Sequence, residues 1–414
     1  MGAGKGDGSL PLDATILAAP GPRPGAPLPH ISVSEVPDDG VPAPAAPGPD
    51  LVVVGVLGEG GMGRVHLARQ RSLEREVALK RPHPGASEGD AQLLRAEAVV
   101  TGNLEHPNIV PVHALGVDAG GRPLIVMKRV DGVSWRELLR DGDHPGWARR
   151  EPNREARQVW HLGILAQLCN AIAFAHSRGF VHRDMKPDNV MVGEFGEVYL
   201  IDWGVAVKIG SRARGSDGSP VLIGTPAYMA PEMAQGGALD ERTDVYLLGA
   251  SLHEVLTGRV RHPGADLHAV TLQAITSAPV DYGGGVPDEL AGLANRATAR
   301  DPADRPADAL AFRQALLDHL LHRASLRLSG EADRALTAIE RDPAAAEGRA
   351  FDECRFGYRQ ALREWPDNPD ALRGLRRCAV ATVRLEIARR NAAAARAALA
   401  DLVDPPAGLT DEVA

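Results

Sequence analysis

LGEGGMGRVHLARQ, residues Leu57–Gln70, sets Gly58, Gly60 and Gly63 in the G-x-G-x-x-G spacing that two unrelated nucleotide-binding architectures share. The element after the glycines separates the two. In a dinucleotide-binding unit the glycines open a helix, and an acidic residue closes the next strand to hold a ribose. Here the residues after Gly63 alternate with a period of two, Val65 and Leu67 inward against His66 and Ala68 outward, which is a strand. The next strand, REVALK, ends on a cation, Lys80. That setting is wrong for a dinucleotide and right for a glycine-rich hairpin lying over a triphosphate. Without side chains at Gly58, Gly60 and Gly63, backbone N–H groups can approach phosphate oxygens closely.

Composition narrows the class. The 414 residues carry a formal charge of −8, which gives no basic footprint for nucleic acid. Only five of the 46 basic residues are lysines, so each lysine stands where arginine was the default cation. Cys169, Cys354 and Cys378 are scattered, with no CxxC pair, which argues against a disulfide framework or a zinc site. The first residues lack the apolar run of a signal peptide. No window approaches the roughly 18 to 20 apolar residues that span a bilayer. The expectation is a soluble, cytoplasmic protein.

Residues 1–50 are rich in Pro, Gly and Ala and read as a disordered arm, with too little large apolar surface to offset the entropy of ordering. From Leu51 the chain reads as short antiparallel strands, then a helix over EGDAQLLRAEAVVTGNL, then strands at VPVHALGV and PLIVMKRV. Beyond about residue 160 the pattern is mostly helical. An α+β class with a small β-rich lobe before a larger α-rich lobe is expected. Past about residue 325 the chain is Ala- and Arg-rich and helical, giving a region over 328–402 and a flexible tail over 403–414. Cys354, Tyr358, Ala361 and Pro366, at offsets of 4, 3 and 5, match the second helix and closing proline of a tetratricopeptide repeat. Leu372 and Leu375 fall at the following repeat's positions before the match decays. An ordinary helical hairpin is the alternative.

Further motifs succeed the glycine loop in order. VALK ends on Lys80, FVHRDMKPDNVMV holds Asp184 and Asn189, LIDWGVA holds Asp202, and GTPAYMAPE holds Thr225 and Glu232. DERTDVYLLGASLHEVLTG brings Asp244, and ARDPADRPADA brings Arg305, making seven motifs in all. On these, residues 51–322 resemble a complete, bilobal Hanks-type protein kinase domain, nearest in texture to the bacterial serine/threonine kinases. One residue departs from the family pattern: Trp203 stands where phenylalanine is usual, with Asp202 and Gly204 kept on either side.

The resemblance implies transfer of the γ-phosphoryl group of ATP to protein hydroxyls, with Mg²⁺ as the metal and Mn²⁺ able to replace it. Lys80 would hold the α- and β-phosphates, aimed by Glu97. Asp184 would orient the acceptor hydroxyl and take its proton, while Asn189 and Asp202 supply metal-binding oxygens. Lys186 and Thr225, joined to Asp184, mark serine/threonine specificity. Adenine would lie under Val65 and Ala78 and over Met191, its edge on the backbone of Met127, Lys128 and Val130. Leu57, Gly58, Glu59, Gly60, Gly61 and Gly63 would cover the phosphates. His182 and Trp203 would stack, Asp244 would brace the catalytic loop, and Glu232 would pair with Arg305. Ser211, Ser216 and Ser219 lie in GSRARGSDGS, a segment expected to be mobile until autophosphorylation, at Ser216 or Ser219, presents a phosphate to Arg183. ATP, protein substrates and a protein partner for the C-terminal helices are the implied partners, with no nucleic acid and no membrane span. The competing reading is a pseudokinase scaffold that binds nucleotide, or binds partners through those helices; such proteins usually lose the lysine, the base or the metal aspartate, all kept here. Kinases of small molecules lack the APE segment and its helix.

Overall fold

The structure, a computed structural model, describes residues 27–35, 50–61, 63–149, 153–214, 219, 221–341, 348–400, 402, 405–406 and 408–413. It divides into two compact units, Met1–Leu316 and Leu317–Ala414.

The first unit opens with a six-stranded sheet and one helix. In chain order these are β1 (Val33–Glu35), β2 (Leu51–Gly60), β3 (Gly63–Gln70), β4 (Arg75–Arg81), α1 (Glu88–Gly102), β5 (Val112–Val117) and β6 (Pro123–Lys128). The sheet order is β1-β2-β3-β4-β6-β5. Register sets the two faces. Val65 lies opposite Lys80, and Lys80 opposite Ile125, so one face carries the cation and receives α1 through Leu94, Ala98 and Ile125. The alternate residues Ala68, Val77, Leu79, Leu124 and Val126 are buried together with Leu51 on the other face. Ala68, read from alternation as outward, is therefore fully buried: its side of the sheet is covered too.

The cover is a piece of the arm. The expectation of disorder over 1–50 fails for residues 27–35. β1 pairs in parallel with β2, Val33 facing Leu51. Just before it, Ile31 donates its N–H to the Val117 carbonyl at 2.9 Å, and Val117 donates to the Pro29 carbonyl at 3.0 Å. One short segment thus joins β2 and β5, the two strands that would otherwise edge the sheet, and Ile31 and Val33 pack on the core between them. Gly116 makes room for it, since a Cβ there would sit 2.5 Å from the Ile31 side chain. Composition hid this, because two apolar residues inside a Pro-rich stretch do not register as a strand.

The remainder of the first unit is mostly helical. It comprises β7 (Gly132–Ser134), α2 (Trp135–Arg140), α3 (Arg154–Ser177), β8 (Phe180–Val181), β9 (Val190–Gly193), β10 (Val198–Leu200), β11 (Val207–Lys208), α4 (Pro231–Gln235), α5 (Glu241–Thr257), α6 (Leu267–Thr276), α7 (Asp288–Ala297) and the start of α8 (Ala309–Arg341). Two small antiparallel ribbons, β10-β9-β7 and β11-β8, frame the loop that carries Asp184. α5 is buried from Thr243 to Glu254, begins with a capping box at Asp240, and stops at Gly258 in the left-handed conformation. By length and composition α3 could cross a membrane, contrary to the expectation that no window would. Here its apolar residues Leu162, Leu165, Leu168 and Ile172 are buried in the helical core. This β-rich sheet with helix, followed by a helical part, is the α+β class read from the sequence.

In the second unit α8 runs unbroken through 323–327, between the two boundaries expected from the sequence, because Gly330 is its nearest weak point and no proline interrupts it. α9 (Gly348–Glu364), α10 (Pro369–Ala388), α11 (Ala392–Ala400) and α12 (Leu409–Val413) complete the unit's helices. Cys354, Tyr358 and Ala361 face a core with Leu336, Phe351 and Cys378. Gly374 lets α10 approach, since a Cβ there would overlap the Tyr358 ring at 2.1 Å. The turn between α9 and α10 is built on buried Asn368, which caps α10 by accepting from the Asp370 and Ala371 amides and donates to Ser325. Two readings are corrected. Leu372 is exposed rather than packed. Within the tail expected to be flexible, Leu409–Val413 form a helix, with Leu409 and Val413 buried against Val383 and Ala395.

Candidate active site

Lys80 and Glu97 meet because β4 and α1 lie on one face of the sheet. The Lys80 ammonium contacts both Glu97 oxygens, at 2.6 and 2.7 Å, with both side chains buried. Asp202 Oδ1 lies 3.6 Å from the same nitrogen. Burial works against the Lys80 charge, but Glu97 and then Asp202 outweigh it and hold the lysine's pKa above its ordinary value. Lys80 is a fixed cation held between Glu97 and Asp202.

Asp184 sits at the centre of a short hydrogen-bond cluster. Its Oδ2 accepts from Lys186 Nζ at 2.7 Å and from Asn189 Nδ2 at 2.9 Å, while Oδ1 accepts from Thr225 Oγ1 at 2.7 Å. Lys186 also donates to the Thr225 hydroxyl. The loop is held from beneath by fully buried Asp244, which accepts from the His182 and Arg183 amides at 2.8 and 3.0 Å and pairs with His176 at 2.8 Å. Burial opposes the Asp244 charge, yet these partners bring its pKa below the usual carboxylate value. Arg183 and Asp202 adopt φ of 70° and 63°, a region that non-glycine residues occupy at a cost and that clusters at functional sites. Trp203 meets His182 edge-on, ring centroids 4.5 Å apart. Glu232 and Arg305 form a two-pronged pair at 2.7 and 2.8 Å.

Val65, Ala78, Met127 and Met191 occupy the registers expected of a cleft lining, with Ala78 opposite Met127 and Met191 opposite Ser134. The Lys128 amide donates to the Pro111 carbonyl and is therefore already committed. At the hairpin, a Cβ on Gly58, Gly60 or Gly61 would meet nothing within 4 Å, so there is free space beside these residues. Gly63 differs. Its φ is 144°, and a Cβ would lie 2.2 Å from the Arg81 carbonyl. Gly63 is glycine because β4 passes against it, a reason that the motif spacing does not reveal. The Glu59 carboxylate turns to Arg64 at 2.9 Å. Leu57 is exposed at the rim.

The serine-rich segment is less free than its composition implies. Ser211 accepts from the Leu239 amide, Ala213 donates to Gly237, and Arg214 Nε donates to the Gly236 carbonyl at 2.8 Å. Burial lowers the Arg183 pKa to about 10, and its Nε donates to the Val205 carbonyl at 2.5 Å. Ser219 is exposed. Ser216 lies outside the described residues. Sequence reasoning missed Arg136 and Glu254, a buried pair below the Asp184 loop, and the exposed Asp188 that the same guanidinium holds. Nothing in VSWRELLR shows that its arginine faces inward; only the neighbouring Trp135 hints at a buried turn.

A loop of Asp184, Lys186 and Asn189 and a carboxylate-paired lysine beside a second aspartate are thus the polar groups of the candidate site. The protein kinase domain family matches residues 51–320. The chain is 33% identical over 294 residues to serine/threonine-protein kinase PknB of Mycobacterium tuberculosis, covering 69% of this chain and 44% of that protein. It is 32% identical over 293 residues to serine/threonine-protein kinase PknD of Chlamydia trachomatis, covering 65% of this chain and 31% of that protein. The chain therefore spans less than half the length of these curated relatives. It belongs to the protein kinase family, with the bacterial Hanks-type kinases.

Proposed function

We propose that this protein uses ATP to phosphorylate serine and threonine hydroxyls of proteins, itself included. The observation that carries the reading is the Asp184–Lys186–Thr225 cluster together with the Lys80–Glu97 pair and Asp202, whose carboxylate also feels the Lys186 charge. Asp184 is ready to accept a proton from a hydroxyl on its outer side, because Thr225, Lys186 and Asn189 fix its orientation. Lys186 stands beside it to meet the negative charge of the transferring group. Lys80 anchors the inner phosphates, and the backbones of Gly58, Gly60 and Gly61 cover them. Adenine sits between Ala78 and Met191 with its edge on the Val130 amide.

The donors free for a metal at this site are the Asp202 carboxylate and the Asn189 amide oxygen, whose Nδ2 is committed to Asp184. An all-oxygen set with few protein ligands suits Mg²⁺, which keeps waters and takes phosphate oxygens, and Mn²⁺ can substitute. Such an ion supplies charge neutralisation on the phosphates. The α9–α10 hairpin, with Cys354, Tyr358 and Ala361 at repeat-like spacing, supports a tetratricopeptide-like region that receives a protein partner. Radiolabelled ATP with Mg²⁺ and dephosphorylated casein tests the central claim. Lys80→Met and Asp184→Asn should each lower transfer at least about a hundredfold. Wild-type rates in Asp184→Asn would overturn it. Mass spectrometry of the ATP-treated chain, set against Asp184→Asn, checks self-modification at Ser211, Ser216 or Ser219.

A further inference from the structure

Beneath the reacting groups lies a buried guanidinium that the cleft itself does not use. Arg136, on the first turn of α2, is buried, and so are two of its three partners, Tyr228 and Glu254. Its Nε donates to Asp188 Oδ2 at 2.7 Å, and its Nη2 lies 2.6 Å from the same oxygen. Nη1 donates to Glu254 Oε1 at 3.0 Å. Nη2 also donates to the Tyr228 hydroxyl, which in turn donates to Glu254 Oε2. Every polar atom of the guanidinium is spoken for, and each partner comes from a different element.

The positions of those partners carry the inference. Asp188 lies in the tight turn Pro187–Asn189, between Lys186 and Asn189. Tyr228 closes the turn Pro226–Tyr228, directly after Thr225. Glu254 belongs to the rigid α5, whose other end holds Asp244 under the Asp184 loop. Lys186 and Thr225 both meet Asp184, and they come from separate segments. Among the described residues, no bond in this network reaches Lys80, Glu97 or Asp202. We infer that Arg136 is a positioning residue that ties the Asp184 loop to the end of the activation segment, so that Lys186 and Thr225 converge on Asp184 where the protein acceptor must dock. The inference rests on the kinase reading and deepens it. It assigns Arg136 to acceptor binding and orientation, and not to nucleotide binding. A guanidinium is required because it is planar, permanently charged and able to donate along several directions at once, which an ammonium cannot match.

The test separates acceptor from nucleotide. Steady-state kinetics with casein as acceptor should show that Arg136→Lys raises the casein KM, or lowers kcat, by about tenfold or more, with the ATP KM within about twofold of wild type. Removing the charge alone strands two carboxylates and can unfold the chain, so the paired variant Arg136→Met/Glu254→Gln removes one charge of each sign and should give the same split. Arg136→Ala should regain acceptor turnover in millimolar guanidinium chloride and not in equal urea, because only the cation can refill the site. If Arg136→Lys and the paired variant keep wild-type KM for both substrates, the assignment is overturned while the kinase reading stands. A parallel loss of both KM values, with no guanidinium rescue, also overturns it, since it marks a purely structural role. A wild-type chain that transfers no phosphoryl group to casein or to itself overturns the kinase reading and this assignment with it.

Discussion

Buried histidines give the molecule a definite response to acid. Trp135 donates its indole N–H to His161 Nδ1 at 2.9 Å, and an indole can only donate, so that nitrogen must be unprotonated. Burial, assisted by Arg157, lowers the His161 pKa to about 4; burial, with Arg261 second, lowers His253 to about 4 and His262 to about 3. A histidine whose folded pKa is depressed binds its proton in the unfolded chain first. Its stabilising contribution is therefore complete above the unfolded value of about 6.5 and is lost as pH falls toward 4. Each such group steepens the fall by up to about 1.4 kcal/mol per pH unit within that window. Denaturant unfolding at pH 8, 7, 6 and 5 should show a stability flat from pH 8 to 7 and falling below about 6.5. His161→Gln, which keeps an acceptor for Trp135 but does not titrate, should reduce the slope by about one proton; an unchanged slope would defeat the account. Residues of this kind mark what the sequence can and cannot show. Lys80, Asp184, Asn189, Asp202 and Thr225 were legible as candidates because they stand in motifs that resemble those of protein kinases in order and spacing. Arg136 and His161 were not, because each acts through partners that are far away along the chain.

At the scale of elements, the segment 29–35 is where local pattern and tertiary structure part company. The strands from Leu51 onward and α1 announced themselves by period, and the later helices of the first unit by a mostly helical pattern. The strap did not, since its order comes from contacts with β2 and β5 and not from its own propensity. Its structural consequence is testable. Ile31 and Val33 cover the face formed by Leu51, Ala68, Val77, Leu79 and Val126, and Glu35 reaches Arg81 at 3.2 Å, next to Lys80. A chain lacking residues 1–26 should melt as the full chain does. One lacking 1–49 exposes that face and both sheet edges, and should lose several degrees of Tm and bind ATP more weakly. Gly116→Ala, which drives a methyl into Ile31, should lower stability by about 1–3 kcal/mol in the full chain and change little once 1–49 are gone. Equal melting of the two truncations would show that the strap adds nothing, and a Gly116→Ala penalty that persists without the strap would place the clash elsewhere.

For the whole molecule, the question is whether its two units behave as separate folding bodies. Their cores are distinct in composition as well as place. Leu336, Phe351, Tyr358 and Cys378 form one cluster in the second unit, and Val383, Ala395, Leu409 and Val413 form another, each made only of residues beyond 316. Every group of the candidate site lies before 316. A ligand that binds only a native site stabilises the body that contains it, by about 2.7 kcal/mol at a hundred times its Kd. In a body of more than 200 residues that amounts to a rise of roughly 5–10 °C. Calorimetry of the full chain should therefore resolve two transitions. Saturating Mg²⁺ with a non-hydrolysable ATP analogue should raise one of them and leave the other in place. Lys80→Met should abolish the rise without altering the second transition, because its side chain enters no contact of the second unit's clusters. A single transition that moves as a whole would show instead that the units unfold together despite their separate cores, the continuous α8 then being the element that couples them.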